Sequence, residues 1–187
     1  MDTKGNAGIS ANDGQYGIAV LGSTGSIGRQ TLDVIRAHPE KFRVVSLTAG
    51  RNIELLCQQI VEFRPQFVAV QDSESLERLR QELPASFATG YGPAAIDDAV
   101  CLGDVHAVVA GITGFAGLPS VLTALRNGKH VAIANKESLV AAGEVLRREL
   151  AQSSSMFVPV DSEHNSIFQC LLSNESQKSI RRIILTA

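Results

Sequence analysis

The chain has 187 residues, a formal net charge of -2 and 44% hydrophobic residues, which suits one soluble domain, or one and the start of another. Seventeen basic residues against nineteen acidic ones give a charge balance that suggests no nucleic-acid or membrane-surface partner. No apolar run approaches the ~20 residues of a spanning helix. Three scattered cysteines, Cys57, Cys101 and Cys170, with no CxxC, read as free thiols filling core space in a reducing cytoplasm.

Residues 1–15 are polar and rich in glycine and asparagine. They have no apolar segment or cleavage signal, and we expect a disordered tail rather than a signal peptide. The organising stretch follows, Tyr16 to Gly28, YGIAVLGSTGSIG. Ile18–Leu21 predicts a buried strand, and Gly22, Gly25 and Gly28 make a GxxGxxG turn. A helix follows with Ile27, Thr31, Val34 and Ile35 expected on one face. Strand, glycine turn and helix are the context of a dinucleotide site. Glycines let the backbone approach a pyrophosphate, and the first-turn N–H groups of the helix face its charge. A tight turn without ligand is the plainer alternative.

After His38-Pro39-Glu40 breaks the helix, Phe42–Thr48 predicts the second strand, ending at Ala49-Gly50-Arg51-Asn52. An NAD site carries an acid here for the ribose 2′-hydroxyl. This chain has an arginine instead, which suits a phosphate dianion and points to NADP. A solvated loop cation is the alternative for Arg51. Asn52 can cap a helix with Ile53, Leu56 and Ile60 on one face. A third strand is expected at Phe67–Val70, a surface helix at Asp72–Glu82, a short fourth strand at Ser86–Thr89, and a helix from Gly92-Pro93 toward Cys101.

Ala107–Ala110 predicts a buried strand ending in a second glycine turn, Gly111-Ile112-Thr113-Gly114, able to pass under a cofactor or simply to link strand to helix. Leu118–Asn127 predicts a helix stopped by Gly128. Val131–Ala134 predicts a strand ending at Asn135-Lys136-Glu137-Ser138. The next helix carries Leu139, Ala142, Leu146 and Leu150 on one face. This alternation predicts an α/β chain with a doubly wound, mostly parallel, Rossmann-like sheet. Ligands of such sheets bind beyond the carboxyl ends of the strands.

Gln152–Ser155 is the expected domain boundary, dividing a nucleotide-binding domain over 16–151 from the beginning of a second, catalytic α+β domain over 152–187. Met156–Val160 predicts a strand running into Asp161-Ser162-Glu163-His164-Asn165 and a helix with Ile167, Phe168 and Leu171. Asp161 and Glu163 can converge on one hard cation, or can serve as ordinary helix capping. His164 is expected to stand outside any metal site, and His38, His106 and His130 suggest no role. Ile180–Leu185 predicts a last strand.

The segments GSTGSIGRQTLDVI, LTAGRN, GITGFAGLPSVLTAL, IANKESLVAAG and PVDSEHNSIFQCL together resemble the 1-deoxy-D-xylulose 5-phosphate reductoisomerase family, and span almost all of residues 16–187. The resemblance implies that Thr24, Gly25, Ser26, Ile27, Gly50, Arg51, Asn52, Asn135 and Glu137 contact NADPH. It implies that Lys136, Ser162 and Glu163 contact a sugar phosphate substrate. Asp161 and Glu163 become two of three carboxylates for Mg²⁺ or Mn²⁺, with Lys136, Asp161 and Glu163 as the catalytic set. It further implies a homodimer for the intact enzyme, and the cysteine usage a cytoplasmic one.

In the family, a substrate-binding turn, a mobile loop and the third carboxylate follow the strand ending LTA. We therefore expect this chain to bind NADPH and to turn over poorly by itself. Two rivals stand beside this reading: a nucleotide-binding module without catalysis, and another NADP-dependent enzyme of the semialdehyde dehydrogenase kind. The second rival needs an activated cysteine at a strand end, and none of the three cysteines has that position.

Overall fold

Strand β1 (Tyr16–Leu21) is apolar at consecutive positions because it is covered on both faces, as a central parallel strand must be. The computed structural model describes residues 14–134, 136–172, 181, 182 and 184, with the backbone alone at Lys136, Ser138 and Leu172. After β1 come α1 (Ser26–Ala37), β2 (Phe42–Ala49), α2 (Ile53–Phe63), β3 (Phe67–Val70), α3 (Ser73–Glu82), β4 (Thr89–Tyr91) and α4 (Gly92–Cys101). Then follow β5 (Ala107–Ala110), a 3₁₀ turn at Phe115–Gly117, α5 (Leu118–Arg126), β6 (His130–Ile133), α6 (Lys136–Gln152), β7 (Phe157–Pro159) and α7 (Ser162–Leu172).

The strands form one parallel sheet in the order β4-β3-β2-β1-β5-β6-β7. The order runs outward from β1 to β4, then returns to the other side of β1 with β5. That reversal is the topological switch point where such sheets bind ligands. The faces carry separate cores. One packs Leu32 and Ile35 of α1, Ile53, Leu56 and Ile60 of α2, and Leu76 and Leu79 of α3 against Val20 and Leu47. The other packs Val100 of α4, Val121 and Leu125 of α5, and Ala142 and Leu146 of α6 against Leu21, Val108 and Ile133. The doubly wound expectation holds.

Three local expectations need correction. The fourth strand is Thr89–Tyr91 rather than Ser86–Thr89, because pairing with Val68–Val70 selects the later register. The stripe that α1 buries is Gly28, Leu32 and Ile35, and Val34 is 54% exposed. The rotation follows from Gly28: a Cβ there would lie 2.4 Å from the Gly22 carbonyl oxygen, so the bare glycine must face the turn. Cys101 and Cys170 are exposed and fill no core space, whereas Cys57 is partly buried and packs against the core. Helix α6 keeps its expected apolar face but kinks at Ala142 (φ -123°, ψ 16°).

Other local signals act as read. Asn52 caps α2 through Leu55 N–H, Asp72 caps α3 through Ser75 N–H, and Gly128 ends α5 at φ +69°. After the turn at Ser153–Ser155, β7 pairs with β6 and extends the same sheet. Of the expected tail, residues 1–13 lie outside the described residues, as do Asn135 and most of the expected strand Ile180–Leu185.

Candidate functional site

The turn after β1 is built by close approach. Gly22 has φ +75°, where a side chain would be strained, and a Cβ on it would meet Gly111 O at 2.9 Å. A Cβ on Gly111 would in turn meet Leu21 O at 2.8 Å. The two glycine turns thus lie back to back at the switch point, where neither β1 nor β5 could be followed by a residue with a side chain.

The N-terminus of α1 is prepared for an anion. Its N-cap is Gly25, with no side-chain cap and no acid in the first turn. By contrast, α2 and α3 are closed by Asn52 and Asp72, each with a glutamate in its first turn. Uncapped first-turn N–H groups and the positive end of the helix dipole attract a phosphate. Thr24, Gly25, Ser26 and Ile27 stand at this point. This is the cradle that a dinucleotide pyrophosphate requires, so the residues fit the group.

Side chains from other elements hold the turn in shape. Gly22 N–H donates to Thr48 Oγ1 at 3.1 Å, and Ser23 N–H donates to Thr48 O at 2.8 Å. Ser23 Oγ donates to Gln59 Oε1 at 2.7 Å, and Gln59 Nε2 donates to Ser23 O at 3.0 Å. Ser23, Thr48 and Gln59 are all buried. Sequence reading missed this set, although a glutamine on the apolar side of α2 was a usable signal.

Gly50, Arg51 and Asn52 follow β2, the neighbour of β1. Arg51 is exposed, with its Nε 3.6 Å from Asp72 Oδ2. The Asp72 carboxyl is held below the usual carboxylate range, mainly by the Ser75 N–H and hydroxyl bonds, with Arg51 adding to the effect. Past β5, Ile27, Ala110, Gly111, Ile112, Thr113, Ala134 and Glu137 line a cleft of about 280 Å³. Glu137, in the first turn of α6, accepts a hydrogen bond from Gly114 N–H at 3.1 Å. Lys136 begins α6.

Asp161, Ser162 and Glu163 follow β7. Asp161 Oδ1 accepts the His164 N–H at 2.9 Å, capping α7, and lies 2.7 Å from His164 Nδ1. Glu163 Oε2 accepts a hydrogen bond from Ser162 Oγ at 2.8 Å. Both the metal reading and the capping reading therefore have a physical basis. The donor set, two hard carboxylates, fits Mg²⁺ or Mn²⁺. Among the described residues no three His, Cys, Asp or Glu side chains converge as a metal cluster.

All the candidate residues within the described part thus lie at the carboxyl ends of five consecutive strands, β2, β1, β5, β6 and β7. The cysteines do not join them. Burial, with nearby acids, pushes the thiols of Cys57 and Cys101 up, away from the reactive thiolate.

At the opposite edge, two histidines have structural work that sequence reading did not foresee. His106 Nδ1 accepts from Gly17 N–H, and His130 Nδ1 accepts from Met156 N–H. Tyr16 stacks on both rings.

The family model for 1-deoxy-D-xylulose 5-phosphate reductoisomerase matches residues 18–143, and the model for that enzyme's C-terminal domain matches 157–187. The chain belongs to the 1-deoxy-D-xylulose 5-phosphate reductoisomerase family. A relative of that name from Acaryochloris marina (strain MBIC 11017) is 45% identical over 176 residues, 91% of this chain and 43% of its own length. Among solved structures, a DOX-P reductoisomerase in complex with magnesium matches with TM-score 0.80 and 35% identity, over 83% of this chain and 40% of that one. The reductoisomerase from Zymomonas mobilis in complex with NADPH matches with TM-score 0.79 and 38% identity, over 83% and 41%. The chain therefore spans less than half the length of these members of the reductoisomerase family.

Proposed function

We propose that the protein converts 1-deoxy-D-xylulose 5-phosphate to 2-C-methyl-D-erythritol 4-phosphate, with NADPH and Mg²⁺ or Mn²⁺, in the non-mevalonate route to isoprenoid precursors. The observation that carries this reading is the uncapped, glycine-cradled start of α1 at the switch point, with Arg51 at the end of the next strand. Membership of the reductoisomerase family supports the reaction, and relatives in complex with NADPH and with magnesium support the two cofactors.

When bound, NADPH supplies the hydride and the metal supplies Lewis acidity and a template. The residues of this chain hold and orient. Thr24, Gly25, Ser26 and Ile27 take the pyrophosphate with the first N–H groups of α1. Gly50 and Asn52 line the adenosine side, and Arg51 pairs with the 2′-phosphate. Asn135 and Glu137 flank the nicotinamide end, where Glu137 fixes the second glycine turn. Lys136 and Ser162 bind the sugar phosphate. Asp161 and Glu163 hold the metal, and Glu163 also faces the substrate. Residues 16–151 form the NADPH-binding domain and 152–187 begin the catalytic one, in a cytoplasmic homodimer.

The test has two arms. Titration of the 187-residue chain with NADPH and NADH, followed by cofactor fluorescence, should give clearly tighter binding of NADPH. The protein with its relatives' full complement of residues should consume NADPH only when the sugar phosphate and a divalent metal are both present. Equal affinity for the two cofactors would overturn the Arg51 assignment, and metal-independent turnover would overturn the carboxylate assignment.

A further inference from the structure

Every polar group of Ser23 is engaged by an element outside its own turn. Its N–H donates to Thr48 O of β2, its hydroxyl donates to Gln59 Oε1 of α2, and its carbonyl accepts from Gln59 Nε2. Ser23 is 0% exposed and Gln59 5% exposed, and neither lines the cleft past β5. Yet Ser23 is the residue between Gly22 and Thr24, and its Cα would lie 2.5 Å from a Cβ on Gly28. Any drift of Ser23 is felt at once by the first turn of α1.

We propose that Gln59 is a positioning residue for the cofactor pyrophosphate. Its amide clamps Ser23 from the α2 side, opposite Thr48, and so fixes the path of Gly22–Gly25 before the ligand arrives. This inference rests on the NADPH reading above and deepens it. The physical reason is preorganisation. A glycine-rich turn has many backbone states, and a ligand that must select one binds less tightly. Two buried hydrogen bonds from one side chain remove that freedom in the free protein. Glutamine is suited to it because the amide both accepts from a hydroxyl and donates to a carbonyl. Leucine can do neither, and glutamate cannot donate.

The effect is local to the pyrophosphate, which separates positioning from general stability. Adenosine 2′-monophosphate carries the phosphate expected at Arg51 but no pyrophosphate, so its binding should not depend on Gln59. NADPH and adenosine 2′-monophosphate are titrated against the wild-type 187-residue chain, Gln59→Leu, Ser23→Ala, and Leu79→Ala as a control. Leu79 is fully buried on α3, away from the turn. Thermal melts are recorded on each protein.

We expect Gln59→Leu to weaken NADPH by roughly tenfold, the scale of a lost buried hydrogen bond. Ser23→Ala, which keeps the Gln59 Nε2 bond, should weaken it by roughly threefold. Adenosine 2′-monophosphate should bind both variants as it binds wild type. Leu79→Ala should melt lower with NADPH affinity unchanged. If Gln59→Leu does not fold, the Ser23→Ala result decides alone. Unchanged NADPH affinity in these variants, or equal weakening of both ligands, overturns the inference while leaving the cofactor reading intact. A wild-type chain that binds no NADPH overturns the cofactor reading, and this inference with it.

Discussion

Two turns at the same edge of one sheet are built in opposite ways. The turn after β1 is held by distant parts of the chain: Thr48 from β2, Gln59 from α2, and Gly111 pressed against Gly22. The helix that follows is left uncapped. Among the described residues, the turn after β7 shows bonds between near neighbours, Asp161 to His164 and Glu163 to Ser162, and its helix is capped by Asp161. Ser23 is fully buried, whereas Ser162, Glu163 and His164 are exposed. The first turn has a fixed shape and an unused helix end, which is what a phosphate needs. In the second, on the proposed reading, the carboxylates would exchange hydrogen bonds for a metal, so the ligand would set its geometry. The nucleotide side is thus preorganised by tertiary contacts, and the proposed metal side would be organised by what binds to it.

The sharpest way to break this comparison is Gly28→Val. Branched carbons would be forced against the backbone of Gly22 and Ser23, within 2.4–2.7 Å of a Cβ at that site. Overpacking of this kind costs about 1–3 kcal/mol or more. NADPH binding should fall below detection with a lower melting temperature, while circular dichroism keeps the α/β signature. Retained affinity would show that the turn is not the pyrophosphate cradle.

Arg51→Asp should have the next largest effect. It removes a charge-assisted partner of about 1.5–3 kcal/mol and places a like charge opposite the 2′-phosphate. The expected result in paired titrations is at least tenfold weaker NADPH with NADH little changed. Parallel loss of both cofactors would mean that Arg51 supports the fold and does not select the phosphate.

Asp161→Asn tests the other turn. Asparagine caps a helix about as well as aspartate, so α7 should persist while the hard-cation charge is lost. Mg²⁺ titrated by calorimetry against the full-length protein should bind more weakly, by several-fold, with NADPH affinity unchanged. Loss of NADPH affinity would show that the two turns are not independent.

The smallest effect concerns pH. Burial, with His106 nearby, pushes the His130 imidazole below its ordinary 6.5. Its Nδ1 accepts the Met156 N–H that leads into β7, and a protonated Nδ1 cannot accept. The folded state therefore binds fewer protons than the unfolded chain below about pH 6.5. Stability should be full above that pH, fall as pH drops through the depressed folded value, and then level off. Denaturant melts from pH 7 to 5 should show this slope, and His130→Gln should flatten it. Hydrogen exchange should loosen first at Met156 and not at Ser23; the reverse order would break the comparison.

Much of this protein was legible in the order of its residues. Ile18–Leu21 ahead of spaced glycines, Asn52 ahead of a helical pattern, and the alternation of strand and helix patterns all report on near neighbours. Periodicity and turn chemistry are short-range properties that a sequence displays directly. The misreadings were those that depend on contacts across the chain. Val34 was expected inside, but Gly28 and not apolar periodicity sets the rotation of α1. The fourth strand moved to Thr89–Tyr91 because pairing with β3 fixes its register. Cys101 and Cys170 proved exposed because small apolar side chains at helix positions do not say which way the helix faces.

Tertiary structure alone decided that β5 lies beside β1 and not beyond β4. That single placement brings Gly111 to Gly22 and sets the ends of β2, β1, β5, β6 and β7 in one row. It decided too that Gln59, 36 residues away, closes on Ser23. A buried hydrogen bond needs two partners, and a sequence shows each partner without showing the distance between them.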